Sequence, residues 1–206
     1  MRVLAARWSA ITTGDAMKRQ CGDCQLCCRL LPFPELGKPA SERCQHQRHG
    51  VGCDIYPRRP RPCRLWNCRW LAGDDTGARP DHAHLVVDIM PDYITVVPHD
   101  GGEKTTVPVI QVWVDPKFPN AHRDKRLRAF LERERMPAII RFNERDGFVI
   151  APPSVNADGQ WFEGKSHSMR EPQHTLEDKL KNMGPLKLSI QLEKGDEPWV
   201  RTLTKE

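Results

Sequence analysis

The chain has 206 residues, a formal net charge of +5 and a mean hydropathy of −0.63, which suits one ordinary domain or a small domain joined to a medium one. No apolar run reaches the roughly 18 residues of a membrane-spanning helix, and the apolar run at residues 3–6 is too short for the core of an export signal. The sequence therefore predicts a cytoplasmic protein with no membrane partner, in a compartment where thiols stay reduced.

The charge is unevenly distributed along the chain. Residues 1–80 contain 14 Lys and Arg against 7 Asp and Glu, whereas residues 81–206 contain 18 against 20, so balances of +7 and −2 sum to +5. A basic half can form a nucleic-acid surface. It can also supply cations and N–H donors that stabilise thiolates around a metal centre, and this second interpretation is preferred because the basic half also contains the cysteines.

All eight cysteines lie within residues 21–68. Such density indicates either a disulfide framework or a thiolate metal site, and a reducing compartment favours the metal site. The segment also has few large apolar residues, so burial alone would not hold it together. Structural zinc contributes about 10–16 kcal/mol to the folding of small peptides. The predicted metal ligands are Cys21, Cys24, Cys27, Cys28, Cys44, Cys53, Cys63 and Cys68.

The spacing of the cysteines leaves the metal open between zinc and an iron–sulfur cluster. Cys21 and Cys24 have the spacing of a zinc knuckle, but the chain contains no second pair with this spacing downstream. With Cys27 the spacing is also that of three ligands in bacterial ferredoxins. Cys27 and Cys28 are adjacent, and consecutive side chains usually diverge, so they are predicted to serve different metals or different edges of a cluster. Eight thiolates would suit two four-ligand centres, which the sequence does not partition.

Three motifs together resemble those of the bacterial YkgJ-type family of CxxCxxCC cysteine-cluster proteins. They are Cys21-x-x-Cys24-x-x-Cys27-Cys28, the pair Cys44-x-His46, and Cys53-x-Ile55-Tyr56-x-x-Arg59-Pro60-x-x-Cys63-Arg64. The resemblance covers about residues 21–70. It implies a zinc- or iron-chelating domain, in a family whose biochemical role is mostly undefined, and it assigns Arg59 and Arg64 a structural role near the metal.

Beyond the family pattern, the elements of the chain follow from prolines and apolar periodicity. Three prolines within residues 57–62 predict an extended or turning path with no regular helix. A short helical turn is predicted at residues 65–71. Gly73 and Gly77 then indicate a boundary.

The region after this boundary is rich in strand signals. Residues 85–90 and 93–97 predict a hairpin across Pro91 and Asp92, residues 100–102 a turn, and residues 109–114 a further strand. Residues 122–135 predict a helix that ends before Pro137, with Leu127, Phe130 and Leu131 on one face.

The remaining elements complete the prediction of fold class. Residues 138–142 and 148–151 predict a second hairpin, residues 175–183 a helix and residues 186–192 a half-buried strand. The chain is therefore predicted to be α+β. A small metal-organised irregular domain occupies residues 17–80, and an antiparallel or mixed sheet domain with one or two helices occupies residues 81–165. Residues 166–206 complete the sheet or form an oligomer contact.

Other side chains suggest additional ligands or surfaces. His46 and His49 could ligate a metal or donate hydrogen bonds beside it, and His82 and His84 would share one face of a strand, as polar residues at its end. Five arginines near two tryptophans could hold phosphates and stack bases; they are Arg58, Arg59, Arg61, Arg64 and Arg69, with Trp66 and Trp70.

Three classes of function follow from these features. The preferred class is a metal-binding protein whose zinc or iron–sulfur cluster is mainly structural or handled for other proteins. The alternatives are an iron–sulfur oxidoreductase or other enzyme, and a nucleic-acid-binding zinc module. The sequence contains no glycine-rich phosphate loop and no known nucleophile motif, so catalytic residues are not assigned.

Overall fold

Short elements make up the first part of the chain in the computed structural model, which describes residues 19–96 and 103–165. They are α1 (Leu26–Leu30), β1 (Gln47–Arg48), β2 (Gly52–Cys53), α2 (Arg61–Leu65) and α3 (Pro80–Ala83), with 3-10 turns at Pro34–Leu36 and Tyr56–Arg58. Helices of one turn are not stable alone in water. The first part of the chain therefore needs packing against the rest of the protein, or a bound group, to keep its shape.

The proline-rich segment contains a helix that the sequence interpretation excluded. The predicted turn at residues 65–71 is wrong, because the helix α2 ends at Leu65 and Trp66 is already extended. Pro62 lies in the first turn of α2, where a missing N–H removes no intrahelical hydrogen bond and the fixed φ angle suits a helix. Prolines at this point start a helix instead of preventing one.

One mixed sheet forms the second part of the chain. Its strands, in spatial order, are β3 (Leu85–Val96), β4 (Thr105–Val114), β5 (Ala138–Arg141), β6 (Gly147–Ala151) and β7 (Phe162–Lys165). Only β4 and β5 are parallel neighbours among these strands. The helix α4 (Lys125–Glu134) lies in the connection between them, as a parallel pair requires a crossover. The predicted α+β class and the hairpin of β5 and β6 are confirmed.

The predicted hairpin across Pro91 and Asp92 is wrong. Both halves of this segment belong to the single strand β3 and pair with β4, in which Val86 lies opposite Trp113 and Tyr93 opposite Pro108. The register shifts between Val87 and Pro91. An irregularity of this kind accommodates a proline that has no N–H for the ladder, so the strand continues where the sequence suggested a turn.

The helix α4 covers one face of the sheet. Its Leu127, Phe130 and Leu131 are fully buried against apolar residues of β3 to β6, which confirms the predicted face. The helix begins at Lys125, later than predicted, because residues 121–123 form a 3-10 turn and the Asp124 carboxylate caps α4. It ends at Glu134, with Arg135 as its left-handed cap, before Pro137 as expected.

The opposite face of β3 and β4 receives the first part of the chain. Val86 and Trp113 alternate with the residues that face α4, and they pack with Leu26 and Leu30 of α1 and with Cys68 in a second apolar cluster. The cysteine-rich part therefore shares its apolar core with the sheet, and this core extends on both sides of the predicted boundary near residue 80.

Several expectations lie outside the described residues. These are the turn at residues 100–102, the end of the second predicted strand at Val97, the helix at residues 175–183 and the strand at residues 186–192. Within the two described ranges, every helix is too short or too polar to cross a bilayer.

Candidate metal centre

The first cysteine pair is held in a tight turn. The Cys24 N–H donates to the Cys21 carbonyl at 2.9 Å, and Gly22 adopts the left-handed φ of 54° that this turn requires. The Cys24 sulfur accepts hydrogen bonds from the N–H groups of Leu26 and Asp81, yet burial raises the pKa of this thiol to about 11. The turn is fastened to α3 by Arg79, whose Nη1 lies 2.8 Å from the Asp23 carboxylate.

The adjacent cysteines lie on α1 and touch each other. The Cys27 thiol donates a hydrogen bond to the Cys28 sulfur, which lowers the pKa of Cys28 to about 7 and raises that of Cys27. The positive charges of Lys38 and Arg59 further lower the pKa of Cys28. The two side chains are thus closer than the usual divergence of consecutive residues predicts, and Cys28 is the thiol most readily ionised near neutral pH.

A small hairpin brings two further cysteines to α1. The Cys44 N–H donates to the Cys28 carbonyl at 3.1 Å, and Cys53 lies on β2, opposite Gln47 of β1. Burial raises the pKa of Cys53, although its sulfur accepts a hydrogen bond from the Ile55 N–H. The turn between the strands contains Gly50 at a φ of 72°. The loop thus returns Cys53 to the neighbourhood of Cys44 and Cys28.

The last two cysteines come from α2 and from the segment after it. Burial raises the pKa of Cys63 to about 11, and the negative charges of three other cysteines add to this effect; they are Cys28, Cys44 and Cys53. Cys68 is buried, with 7% of its surface exposed, and burial raises its pKa to about 12. The Leu71 N–H lies 3.4 Å from the Cys68 sulfur.

Two cations lie among these thiols. Lys38 is 7% exposed, and its Nζ donates to the carbonyls of Leu31, of Pro39 at 3.0 Å and of Arg29 at 3.2 Å. The Arg59 guanidinium lies 3.7 Å from the centre of the Tyr56 ring. Arg59 was expected near the metal from the family pattern, whereas nothing in the sequence distinguished Lys38 from the other lysines.

His82 and His84 lie at a helix and not on the predicted strand. His82 and His84 do not share a strand face, because His82 belongs to α3 and His84 is its left-handed cap at a φ of 58°. His84 stacks on Phe118 with ring centres 3.6 Å apart. His46 is half-buried and His49 is exposed, both in the loop around β1. The alternation expected of a strand fails here because Pro80 starts a helix.

The five arginines of the predicted surface differ in their exposure. Arg69 is 7% exposed, pairs with Asp74 at 3.1 Å and lies over the Phe130 ring. Trp66 and Trp70 are partly buried and pack against the second apolar cluster, and the Arg19 guanidinium lies 5.2 Å from the centre of the Trp70 ring. Of the five predicted arginines, Arg69 is therefore turned away from solvent, and Arg58 and Arg61 are the two that are exposed.

The donor set as a whole fits a thiophilic metal. Thiolates select zinc and iron–sulfur clusters, and backbone N–H groups and cations around the sulfurs are the usual partners of such centres. In the described residues, however, no three Cys, His, Asp or Glu side chains are placed so that they could hold a metal ion together. Some of the sulfur atoms lie near one another, but they are not arranged as ligands of a common ion.

Comparison of the chain with protein-family models, with curated proteins and with solved structures finds no match.

Proposed function

We propose that this chain is a metal-binding protein that coordinates zinc or an iron–sulfur cluster through its eight cysteines. The metal chiefly holds residues 21–68 in shape or is handled for other proteins, in the reducing environment of the cytoplasm. The observation that carries this proposal is the mutual proximity of cysteines from separate segments. Cys28 from α1, Cys53 from the hairpin and Cys63 from α2 are close enough for the negative charge of one to raise the pKa of another.

The protonation of these thiols supports the same conclusion. Burial is the largest cause of a raised pKa at Cys21, Cys24, Cys53, Cys63 and Cys68. Without a cation, these half-buried or buried thiols would remain neutral. A bound metal ion replaces the thiol protons and offsets the repulsion between thiolates, so metal binding releases protons and stabilises the fold.

The absence of ligand geometry among the described residues is compatible with this proposal. Zinc requires sulfurs at about 2.3 Å, and a cysteine sulfur is positioned by the single torsion χ1, so a rotamer change moves it without moving the backbone. Metal sites are often completed by the ion that they bind.

The resemblance to the YkgJ-type family supports this function, since Arg59 of the shared motif lies near enough to four of the cysteines for its charge to act on them; they are Cys21, Cys28, Cys53 and Cys63. Arg59 donates to the Tyr56 carbonyl at 2.9 Å and lowers the pKa of Cys28 by its charge. We therefore propose that the Tyr-x-x-Arg-Pro segment supports the thiolates and does not contact a nucleic acid.

Elemental analysis and an absorption spectrum of anaerobically purified protein test the proposal. Zinc in a colourless preparation, or iron and sulfide in a brown one, is the expected result. Cys24→Ala and Cys27→Ala should sharply lower the metal content, whereas Thr106→Ala, at an exposed position of β4, should leave it unchanged. Metal-free protein with its cysteines paired as disulfides, or full metal content in both cysteine variants, would contradict the proposal.

A further inference from the structure

The adjacent cysteines of α1 face different neighbours. Successive residues of a helix are rotated by about 100°, so Cys27 and Cys28 point to different sides although their sulfurs touch. Cys27 packs against the second apolar cluster, on the side of the sheet. The Cys28 carbonyl accepts the N–H of Cys44 at 3.1 Å, so the backbone of Cys28 adjoins the hairpin. The negative charge of the Cys28 sulfur raises the pKa of Cys53 and Cys63 and also that of Cys21, which places this sulfur at the junction. The helix α1 therefore separates two neighbourhoods at this pair.

Three more cysteines lie on the sheet side of α1. Cys68 is a member of the second apolar cluster, and Cys24 packs against it. Cys21 is one hydrogen-bonded turn from Cys24, with 2.9 Å between the Cys24 nitrogen and the Cys21 oxygen. Burial is the largest cause of the raised pKa of Cys68, and the negative charges of the nearby Cys21 and Cys24 raise it further.

The other three cysteines lie on the hairpin side. The Gln47 N–H donates to the Cys44 carbonyl at 3.0 Å, and Gln47 is the register partner of Cys53, so the hairpin places Cys44 and Cys53 together. Cys63 belongs to α2, and Arg59 donates from Nη1 to the Cys63 carbonyl at 3.5 Å. The negative charges of Cys28, Cys44 and Cys53 each raise the pKa of Cys63, so Cys63 lies near all three.

From this geometry, and resting on the proposed function, we infer that the eight cysteines form two adjoining four-sulfur metal sites. The sheet-side site consists of Cys21, Cys24, Cys27 and Cys68. The hairpin-side site consists of Cys28, Cys44, Cys53 and Cys63. The two sites meet at the contact between the Cys27 and Cys28 sulfurs, and each has the four thiolates of a tetrahedral zinc site or of one iron–sulfur cluster.

The cations are placed where two such sites need them. A divalent ion with four thiolates keeps a net negative charge, and two such centres side by side repel each other in a partly buried region. The charge of Arg59 acts on Cys21 of the sheet-side site and on Cys28 of the hairpin-side site. The charge of Lys38 interacts with Cys44 and Cys28 of the hairpin-side site and with Cys27 of the sheet-side site. Both cations reduce this repulsion.

Stepwise removal of zinc from the wild-type chain tests the partition without any substitution. Anaerobic protein is loaded with zinc alone and treated with increasing chelator, and the released thiols are alkylated and located by mass spectrometry. The expected intermediate retains half of its zinc and has four alkylated cysteines, all from one site. An intermediate labelled in both sites, or release of all eight cysteines in one step, would overturn the partition. Wild-type protein that contains no iron–sulfur cluster when purified and takes up no zinc would instead refute the proposed function itself.

Paired substitutions give an independent readout. Cys63→Ser and Cys68→Ser should each halve the bound zinc. A double variant with both changes in one site, Cys53→Ser and Cys63→Ser, should lose no more zinc than Cys63→Ser alone. A double variant with one change in each site, Cys24→Ser and Cys63→Ser, should lose nearly all of its zinc. Equal losses in the two double variants would contradict the partition.

Discussion

Cys68 lies opposite Asp88 in an isolated antiparallel bridge, which joins the last cysteine of the chain to the irregular part of β3. Asp88 is 8% exposed. Its Oδ1 accepts hydrogen bonds from Trp66 Nε1 and from the Met90 N–H, both at 2.8 Å. The Arg69 N–H adds a bond to the Val87 carbonyl at 2.9 Å. The sheet thus positions one end of the cysteine-rich segment independently of any metal.

Replacement of Asp88 tests this connection. Asp88→Ala should lower the free energy of unfolding by about 1–3 kcal/mol, because it leaves buried donors without an acceptor. Asp88→Asn keeps an oxygen acceptor and should cost clearly less. Urea denaturation of both variants measures the difference. Equal losses would show that the hydrogen bonds to Oδ1 do not stabilise the bridge.

Lys38 should control the ionisation of Cys28. In reduced, metal-free protein, Lys38→Met removes a positive charge that lowers the pKa of Cys28, so the thiol should be less ionised at neutral pH and should react more slowly with an alkylating agent. Lys104→Met, at an exposed position immediately before β4, serves as the matched control and should not change the rate. Mass spectrometry of the labelled peptide follows Cys28 alone. An unchanged rate in Lys38→Met would contradict the assignment of Lys38 as its counter-charge.

His122 should make stability depend on pH. Its Nδ1 lies 2.8 Å from the Pro119 carbonyl, and its Nε2 is 4.0 Å from Glu163. Burial lowers the pKa of His122 below its usual value, and Arg123 and Arg128 lower it further. The folded protein therefore disfavours the proton, so its stability is full above about pH 6.5 and declines as the pH falls towards the folded value.

The substitution His122→Asn should remove part of this decline. The free energy of unfolding of the variant, measured across the acid range, should fall less steeply than that of the wild type. His82→Asn is the matched control, because the His82 side chain is 71% exposed. A wild-type slope that His122→Asn leaves intact would assign the pH dependence to other groups.

The cap of α4 makes a further prediction. The Asp124 carboxylate accepts from the N–H groups of Arg126 at 2.8 Å and Leu127 at 3.1 Å. Asp124→Ala should lower the free energy of unfolding by about 0.5–2 kcal/mol, whereas Asp124→Asn should retain most of the stability because asparagine caps nearly as well. Thermal unfolding compares the three proteins. If the alanine and asparagine variants are equally stable, the cap does not contribute as described.

The sheet and its helix were largely predictable because local patterns coincide with the tertiary arrangement there. Leu127, Phe130 and Leu131 recur at helical spacing and are all fully buried, and the turn residues near Asn143 mark the hairpin of β5 and β6. Pro91 misled the prediction, because its effect depends on whether the strand is regular at that point. Its place at a register shift of β3 is a tertiary feature that the local sequence does not reveal.

The candidate site was predictable in its residue types and not in its arrangement. The spacing of the cysteines identified a thiol-rich region, but which thiols are neighbours depends on the hairpin between Cys44 and Cys53 and on the packing of Cys68 against the sheet. Lys38 lies between Gly37 and Pro39 in an irregular connector, where no periodicity indicates burial. Its role is visible only when Cys28 and Cys44 are seen beside it.

Hydrogen–deuterium exchange of the full chain before and after complete anaerobic chelation tests the central claim most directly. If bound metal shapes the cysteine-rich region, amides of residues 21–68 lose protection on chelation while those of β4 and β5 keep theirs. Unchanged protection of residues 21–68 in metal-free, reduced protein would contradict the account.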